Sequence, residues 1–198
     1  MQNHLVIFVK NPVLGTVKTR LAKTIGDEAA LEVYNDLMQK CHDECLKVDA
    51  KRHLFYSKQI LEADFWPNDT FEKKLQTEGD LGIKIEAALS NVFQEEGKVL
   101  IIGSDCYDLT ADIINEAFHL LDQSDVVIGP ANDGGYYLLG TNTFHAALFK
   151  DIAWSTETVL EETIERAESQ KLSVSLLQEL IDLDTIEDLN KSGYNYKK

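Results

Sequence analysis

The sequence predicts an α/β fold built on parallel strands, and three observations support this prediction. Short apolar runs typical of buried strands alternate along the chain with stretches whose apolar residues recur at helical spacing. The helical stretches span ten or more residues, long enough to connect parallel strands by right-handed crossovers. No internal repeat, low-complexity segment or linker interrupts the alternation, so residues 1–198 are expected to form a single domain.

These patterns predict the elements in chain order. Residues 5–9 are an apolar run that predicts the first strand, and residues 10–20 form the loop at its carboxyl end. Apolar residues at helical spacing predict a helix over 26–46, and residues 53–56 predict a second strand. The polar, aromatic-bearing stretch up to Gly79 carries no predicted element. Later predictions are helices near 85–92, 113–121 and 157–167, strands at 99–102, 126–128, 136–139 and 172–177, and a short helix from about Thr185.

The charge balance limits the expected partners. The chain carries 34 acidic and 19 basic residues, a formal net charge of −15. Nucleic-acid binding requires a broad basic surface, and anionic membranes attract basic proteins, so we expect neither nucleic-acid binding nor membrane insertion. The apolar run near the amino terminus has five residues, too short for a signal peptide or a membrane span. These features predict a cytoplasmic protein.

The cysteines fit a reducing compartment better than a disulfide framework. Cys41 and Cys45 lie four residues apart in the predicted helix over 26–46, where they are expected to be small buried hydrophobic residues. Cys106 stands alone, and the five histidines show no zinc-ligand spacing.

The loop after the first strand concentrates positive charge. Lys10, Lys18, Arg20 and Lys23 all precede Asp27, the first acid of this acidic chain. Ligands of α/β proteins bind at the carboxyl ends of strands, so a positive loop here indicates an anionic small molecule such as a phosphate ester. The alternative is a solvated surface loop whose lysines aid solubility.

This loop has a superficial likeness to a Walker A sequence, because Lys18-Thr19 follows Gly15. A Walker A loop requires glycine directly before the lysine, and Val17 occupies that position, so the chain is not a P-loop NTPase. Lys18 and Arg20 can still bind a diphosphate through charge-assisted hydrogen bonds.

Acidic residues follow the apolar strand at 99–102. In the segment Gly103-Ser104-Asp105-Cys106-Tyr107-Asp108, the two small residues allow a ligand to approach the backbone. A carboxylate placed there suits Mg²⁺ or Mn²⁺, and we assign that role to Asp105, with a helix cap as its alternative. Asp108 is expected to cap the following helix.

A glycine-rich turn separates the strands at 126–128 and 136–139. Asp133-Gly134 before an apolar run is a strong turn signal, so a structural hairpin accounts for much of this segment. Gly134 and Gly135 also leave room for a ligand beside the backbone. Asp133 is a candidate to accept a hydrogen bond from a sugar hydroxyl or to take a proton.

The last acidic segment is Asp182-Leu183-Asp184-Thr185-Ile186-Glu187. Asp184 with Glu187 fits a capping box for the final helix. Asp182 points to the same side as Asp184 in extended chain, and two carboxylates about 4 Å apart repel by on the order of 4 kcal/mol at an effective dielectric of roughly 20. We infer that Asp182 and Asp184 converge with Asp105, and a divalent cation would explain how three carboxylates could lie together, because it relieves such repulsion.

Together these segments resemble a bacterial family of glycosyltransferase-like proteins known as DUF2064, or as radical-SAM/selenodomain-associated transferases. The resemblance runs from Leu5 to Leu189 and rests on motifs in a specific order: FVKNP, KTRL, GDLG at 79–82, GSDC, GPANDGGYYL, WST at 154–156 and DLDTIEDL. It implies a three-layer, Rossmann-like GT-A fold of the nucleotide-diphospho-sugar transferase superfamily, with a mostly parallel sheet and helices on both faces. The relatives that it implies include guanylyltransferases of cofactor synthesis.

The resemblance and the residue patterns described above together indicate site residues. Nucleotide or phosphate contacts are expected at Lys10, Gly15, Lys18, Arg20, Gly79, Asp80 and Lys84. Lys84 stands where the family often has arginine. Lysine keeps the positive charge but lacks the planar guanidinium that can make two parallel hydrogen bonds. Mg²⁺ or Mn²⁺ is expected at Asp105, Asp182 and Asp184, and catalytic roles at Asp105 and Asp133. Sugar or acceptor contacts are expected at Gly134, Gly135, Ser155 and Thr156, with a helix cap as the alternative for the last two.

The predicted function is a metal-dependent transferase that uses a nucleotide-diphospho-sugar donor and an unknown acceptor. A nucleotidyltransferase that releases pyrophosphate is the alternative enzyme, since it needs the same metal and phosphate contacts. A non-catalytic nucleotide-binding module is the alternative outside the enzymes. A phosphohydrolase is disfavoured because no nucleophilic aspartate motif precedes Asp27.

Overall fold

A computed structural model describes residues 2–195, which form a seven-stranded sheet with helices on both faces. The strands are β1 (Gln2–Val9), β2 (Lys51–Tyr56), β3 (Phe71–Leu75), β4 (Gly97–Gly103), β5 (Val126–Pro130), β6 (Tyr136–Thr141) and β7 (Val174–Leu176). The helices are α1 (Thr19–Ile25), α2 (Asp27–Leu46), α3 (Leu81–Val92), α4 (Ala111–Leu120), α5 (Val159–Ser169) and α6 (Ile186–Lys191), with a 3₁₀ turn at Ala146–Phe149. Within residues 2–195, no helix has the length and apolar character needed to cross a membrane.

The strands lie in the order β3-β2-β1-β4-β6-β5-β7. Neighbouring strands are parallel except at β6, which runs antiparallel between β4 and β5. This arrangement confirms the predicted α/β class with a mostly parallel sheet. Because all strands but β6 point the same way, the loops that follow β1, β2, β4 and β5 emerge at one edge of the sheet, where β6 begins.

Helices cover both faces of the sheet because buried side chains of each strand alternate between the faces. In β1, Leu5, Ile7 and Val9 belong to one core with residues of α2 and α4, whereas Val6 belongs to the core formed with α3 and α5. Near-continuous apolar strands of this kind are typical of a sheet buried on both sides. The result is the predicted three-layer architecture.

The sequence patterns miss two elements, α1 and β3. Helix α1 begins directly after Lys18, whose left-handed backbone (φ 47°) ends the basic loop. Its seven residues bury only Leu21, which is too little to show a periodicity. Strand β3 reads FEKKL and lies at the edge of the sheet with only Phe71 buried. Charged side chains on an edge strand deter pairing with other sheets, and here they conceal the strand from a search for apolar runs.

Two predicted helix caps are wrong. Helix α4 is capped by Thr110, while the carboxylate of Asp108 accepts hydrogen bonds from the backbone of the C-terminal segment. The capping box of α6 consists of Thr185 and Asp188, one residue later than predicted. Asp184 does not serve as the cap because its carboxylate contacts the basic loop instead.

The helical cysteines are buried on α2, as predicted. The sulfur atoms of Cys41 and Cys45 lie 3.9 Å apart. The contact with the Cys41 thiol, together with burial, raises the pKa of the Cys45 thiol well above its usual value. Both residues therefore act as small hydrophobic side chains of the core.

Glu44 joins α2 to the amino terminus of α4. Its carboxylate accepts a hydrogen bond from Ala111 N at 2.9 Å and lies 2.6 Å from Lys40 Nζ and 2.9 Å from Lys47 Nζ. Burial alone would raise the pKa of Glu44, but the hydrogen bonds from these partners outweigh burial and lower the pKa to about 2. The carboxylate therefore stabilises the fold above its usual pKa of 4.5, and this contribution is lost as the pH falls toward 2.

We expect Glu44→Gln to lower the free energy of unfolding by about 2–3 kcal/mol at neutral pH. Chemical denaturation measures this change, and the difference from the parent chain should shrink as the pH falls from 4.5 toward 2. Glu32→Gln, at an exposed acid of the same helix, is the matched control and should change the free energy by less than about 0.5 kcal/mol. Equal losses in the two variants would contradict this account of Glu44.

Candidate functional site

A cavity lies at the carboxyl edge of the sheet, between β1 and β4. These strands are neighbours, although the chain forms β2 and β3 on one side of β1 before it returns to form β4 on the other. Such a switch point leaves a crevice between diverging loops, which is the usual ligand site of α/β folds. The cavity has a volume of about 460 Å³, a size typical of small-molecule sites.

The cavity combines apolar surface with charged groups. Phe8, Ile85, Ile101 and Tyr136 supply apolar and aromatic surface. Its polar side chains come from Lys10, Ser57, Gln76, Asp80, Lys84, Ser104, Asp105, Ser155 and Asp182. Apolar walls with a few converging charged groups are typical of a site for a charged small molecule.

A buried lysine joins the basic loop to the acidic segments. Lys18 Nζ lies 2.6 Å from Asp105 Oδ1 and 3.2 Å from Asp184 Oδ1. The lysine side chain is 2% exposed, whereas those of Asp105 and Asp184 are 26% and 38% exposed and so reach solvent. Arg20 lies at the outside, 3.7 Å from Asp184. We call Lys18, Asp105, Asp182 and Asp184 the Lys18 cluster.

The charges of the Lys18 cluster control one another's protonation. Burial would lower the pKa of Lys18, but Asp105, Asp182 and Asp184 outweigh burial and raise the pKa, so the amine is an ammonium ion. Burial would raise the pKa of Asp105, but Lys18 and Lys10 lower it, so this group is a carboxylate. Burial and the charge of Asp105 raise the pKa of Asp182 to about 7. The attraction of Lys18 therefore does not offset burial and the charge of Asp105 at Asp182, which is partly protonated near neutral pH.

Hydrogen bonds hold the C-terminal acidic segment beside β4. Leu183 N donates to Asp105 O at 3.2 Å. Asn132, in the turn between β5 and β6, accepts a hydrogen bond from Asp182 N at 2.9 Å, and its side-chain amide donates to Asp188 at 3.3 Å. The positions of Asp182 and its neighbours are thus fixed by two loops that are distant in sequence.

Two side chains fix the start of the basic loop. The Tyr34 hydroxyl, on α2, accepts a hydrogen bond from Lys10 N at 2.8 Å and donates to Lys10 O at 2.9 Å. The buried Asn11 accepts from Lys58 N and Gln59 N and donates to Gln59 O, which ties the basic loop to the loop after β2. These contacts leave the Lys10 side chain exposed at the cavity.

The GDLG segment begins helix α3 at the cavity. Gly79 has φ 127°, and a Cβ there would lie 2.9 Å from the Ile83 side chain. Asp80 caps the helix by accepting a hydrogen bond from Ile83 N at 2.9 Å. Lys84 follows one turn later and lines the cavity. This side of the cavity therefore carries a positive side chain, Lys84, beside the carboxylate of Asp80 that caps the helix.

The predicted site residues fall into three groups by position. Seven line the cavity: Lys10, Gly79, Asp80, Lys84, Asp105, Ser155 and Asp182. Three lie beside it through the contacts of the Lys18 cluster: Lys18, Arg20 and Asp184. Five do not line it: Gly15, Asp133, Gly134, Gly135 and Thr156. The functional roles assigned to these residues stay predictions.

Packing explains the glycine in the turn between β5 and β6. Gly134 has φ 84°, a Cβ there would lie 2.1 Å from Glu157 O, and Leu160 N donates to Gly134 O at 2.9 Å. Asp133 accepts a hydrogen bond from Gly135 N at 2.9 Å, which engages one of its carboxylate oxygens in the turn. The turn thus holds the segment before α5 in place, independently of any contact with a ligand.

Trp154 holds the WST segment at the cavity. Its indole packs against Gly82, where a Cβ would lie 2.3 Å from Trp154 Nε1. Ser155 follows with φ 66° and lines the cavity, whereas Thr156 donates to a backbone carbonyl three residues earlier at 2.7 Å. The residue that precedes α5 is Thr158, so neither Ser155 nor Thr156 is its N-cap.

Several residues that shape the site were not found from the sequence. Tyr34 occupies a regular apolar position of α2 and cannot be told from a core residue by its spacing. Asn11 and Asn132 did carry a signal, since asparagine in a loop rich in proline or glycine commonly hydrogen-bonds to nearby backbone. Cys106 lines the cavity with its sulfur 3.9 Å from Asp182, a contact that sequence spacing does not reveal.

The Lys18 cluster has the donor type that a hard divalent cation requires. Mg²⁺ and Mn²⁺ prefer carboxylate oxygens, and Asp105 and Asp184 already share one cation, the Lys18 ammonium. Over residues 2–195, no three or more acidic, histidine or cysteine side chains are arranged as a ready-made metal site. The residue types therefore fit a divalent cation, and the Lys18 ammonium contacts both Asp105 and Asp184.

The chain is similar to transferases in sequence and structure. The sequence profile of DUF2064, "Uncharacterized protein conserved in bacteria", matches residues 41–156. A structure from Desulfovibrio desulfuricans G20 that bears the name of a nucleotide-diphospho-sugar transferase is 31% identical, with a TM-score of 0.89 over 96% of this chain and 86% of that one. No curated protein sequence matches the chain.

More distant structures share the fold alone. The inositol-1-phosphate CTP transferase of T. maritima is 13% identical, with a TM-score of 0.61 over 96% of this chain and 92% of that one. Rv0371C of Mycobacterium tuberculosis H37Rv, in complex with manganese, is 12% identical, with a TM-score of 0.56 over 96% and 97%. The profile match and the Desulfovibrio desulfuricans G20 structure confirm the predicted family and fold: the chain belongs to the DUF2064 family and has the fold of the nucleotide-diphospho-sugar transferases.

Proposed function

We propose that this protein is a metal-dependent transferase that binds a nucleotide-diphospho-sugar in the cavity and transfers the sugar to an acceptor. One observation carries the proposal. Asp105 and Asp184 share one cation, the Lys18 ammonium, beside the cavity at the switch point of the sheet. The resemblance to the Desulfovibrio desulfuricans G20 structure across almost the whole chain supports the same substrate class.

Cations around the cavity would bind the diphosphate. Lys10 and Lys84 line the cavity, and Arg20 is 69% exposed beside Asp184. Charge-assisted hydrogen bonds from these groups and from Lys18 would hold the phosphate oxygens. They would also stabilise the negative charge that develops on the leaving nucleoside diphosphate as the bond to the sugar breaks.

Asp105, Asp182 and Asp184 would hold Mg²⁺ or Mn²⁺. When bound, such an ion supplies a Lewis acid that neutralises charge on phosphate oxygens. Asp105 is the principal candidate because its carboxylate is ionised and lines the cavity. The crystal structure of Rv0371C, a protein with a similar fold, contains manganese, which is consistent with this assignment.

The sugar end of the ligand would lie near Ser155 and the turn between β5 and β6. Ser155 lines the cavity, and one carboxylate oxygen of Asp133 is engaged by Gly135 N, which leaves the other oxygen for a ligand. We propose Asp133 as the group that orients the sugar or takes a proton from the acceptor. Gly134, Gly135 and Thr156 would act by shaping the backbone around it.

A nucleotidyltransferase is the second candidate. The T. maritima CTP transferase has this fold over 96% of the chain, and nucleotidyl transfer needs the same cations around a nucleotide's phosphates. In that reaction the acceptor phosphate attacks the α-phosphorus of a nucleoside triphosphate, and the bond to the departing pyrophosphate breaks.

The products distinguish sugar transfer from nucleotidyl transfer. We expect the purified protein with Mn²⁺, a panel of nucleotide sugars and a fractionated cell extract as acceptor source to release nucleoside diphosphate. Pyrophosphate release from nucleoside triphosphates with phosphorylated acceptors would favour the second candidate instead. Metal-dependent nucleotide binding without either product would indicate a non-catalytic binding module. The matched control is heat-denatured protein with the same extract.

A further inference from the structure

The Lys18 ammonium contacts Asp105 and Asp184, two of the residues proposed to hold the divalent cation. Its Nζ lies 2.6 Å from one carboxylate and 3.2 Å from the other, and its side chain is 2% exposed. Its backbone is left-handed at φ 47°, a conformation that a non-glycine residue keeps only where its surroundings hold it. The basic loop therefore directs this ammonium into the acidic cluster.

We propose that Lys18 is an internal counter-cation that competes with a divalent cation for Asp105 and Asp184. The reason is Coulombic. An ammonium and a divalent ion on the same two carboxylates would lie within a few ångströms of each other and repel strongly in a partly buried site. The metal binds when the ammonium leaves the carboxylates, and the ammonium returns when the metal departs.

An anionic ligand in the cavity would give the Lys18 ammonium a partner other than the two carboxylates. Lys10 and Lys84 line the cavity beside the Lys18 cluster and favour a bound anion. This step rests on the proposed function: the ligand diphosphate attracts the Lys18 ammonium and frees both carboxylates for the metal. Metal and nucleotide then bind cooperatively, each strengthening the other by the same factor.

The competition is tested with Mn²⁺ alone, so its outcome is independent of the proposed function. Lys18→Met removes the ammonium and keeps an unbranched side chain, and Lys23→Met removes one charge from an exposed lysine of α1, the helix that follows Lys18. By isothermal titration calorimetry we expect Mn²⁺ to bind Lys18→Met at least about tenfold more tightly than the parent chain, and Lys23→Met within about twofold. Equal Mn²⁺ affinities in the two variants, or no binding to either, would overturn the proposal.

A second measurement uses the parent chain and covers the case in which Lys18→Met fails to fold. Acetylation with an N-hydroxysuccinimide ester, followed by peptide mass spectrometry, reports the reactivity of each lysine amine. We expect Lys18 to react at least about tenfold more slowly than Lys23, because its amine is buried and contacts Asp105 and Asp184, whereas Lys23 is exposed. Tens of millimolar Mg²⁺ should raise the Lys18 rate several-fold, whereas NaCl of equal ionic strength should not. Unchanged protection of Lys18 in Mg²⁺ would overturn the proposal.

Discussion

Asp105→Asn is expected to weaken binding of a nucleoside diphosphate in the presence of Mn²⁺ by about 100-fold or more, which corresponds to about 2.7 kcal/mol. The substitution keeps the shape of the side chain but removes the charge that lines the cavity and contacts Lys18. A hard divalent cation loses a preferred anionic oxygen ligand, and the charge that the metal contributes at the phosphates is lost with it. Thermal-shift titrations with and without Mn²⁺ measure the effect, because ligand binding raises stability by mass action.

Asp108→Asn is the matched control for this variant. Asp108 lies three residues further along the same loop, accepts hydrogen bonds from Gly193 N and does not line the cavity. Its substitution removes the same charge, so a general electrostatic effect of net charge would appear in both variants. We expect the nucleotide affinity of Asp108→Asn to stay within about threefold of the parent chain. If Asp105→Asn binds nucleotide as well as Asp108→Asn does, the Lys18 cluster is not the phosphate and metal site.

Gly134→Ala is expected to lower the free energy of unfolding by about 4 kcal/mol or more. The residue has φ 84°, and the new Cβ would lie 2.1 Å from Glu157 O. The obstructing atom is backbone, so relief requires the segment before α5 to move. That movement would break the hydrogen bond from Leu160 N to Gly134 O and displace Ser155 from the cavity. Urea denaturation of the purified variant measures the loss.

Two other glycines separate backbone strain from steric overlap. Gly26→Ala tests strain alone, since it has φ 88° and ψ 158° and no atom within 4 Å of the added Cβ, and it should cost about 1–3 kcal/mol. Gly103→Ala has neither a positive φ nor a neighbour within 4 Å, and it should change stability by less than about 0.5 kcal/mol. The expected order of loss is Gly134, then Gly26, then Gly103. A loss at Gly134 no greater than that at Gly26 would contradict the packing role.

Most of the strands and helices that the sequence predicts bury several side chains, and the exceptions are the edge strand β7 and the short helix α6. Buried strands such as β1 and β4 read as apolar runs, and α3 and α4 show the apolar spacing of a helix packed on a sheet. Strand β3 lies at the edge, where burial constrains one position, and α1 buries one side chain, so neither leaves a pattern. The sequence signal is therefore strongest where burial is greatest.

Some features of the candidate site depend on local sequence, and others depend on contacts between segments that are distant in the chain. The sequence alone determined the α/β class, the family motifs and the residue types available for binding phosphate and metal, because apolar periodicity and turn chemistry are local properties of the chain. Only the tertiary structure decided that Lys18 and Asp184 meet at Asp105, since hydrogen bonds from Leu183 to Asp105 and from Asp182 to Asn132 bring the distant segments together. The tertiary structure also decided that the Lys18 ammonium lies between those carboxylates. This position depends on the backbone angle of Lys18 and on its burial, which the spacing of residues does not reveal.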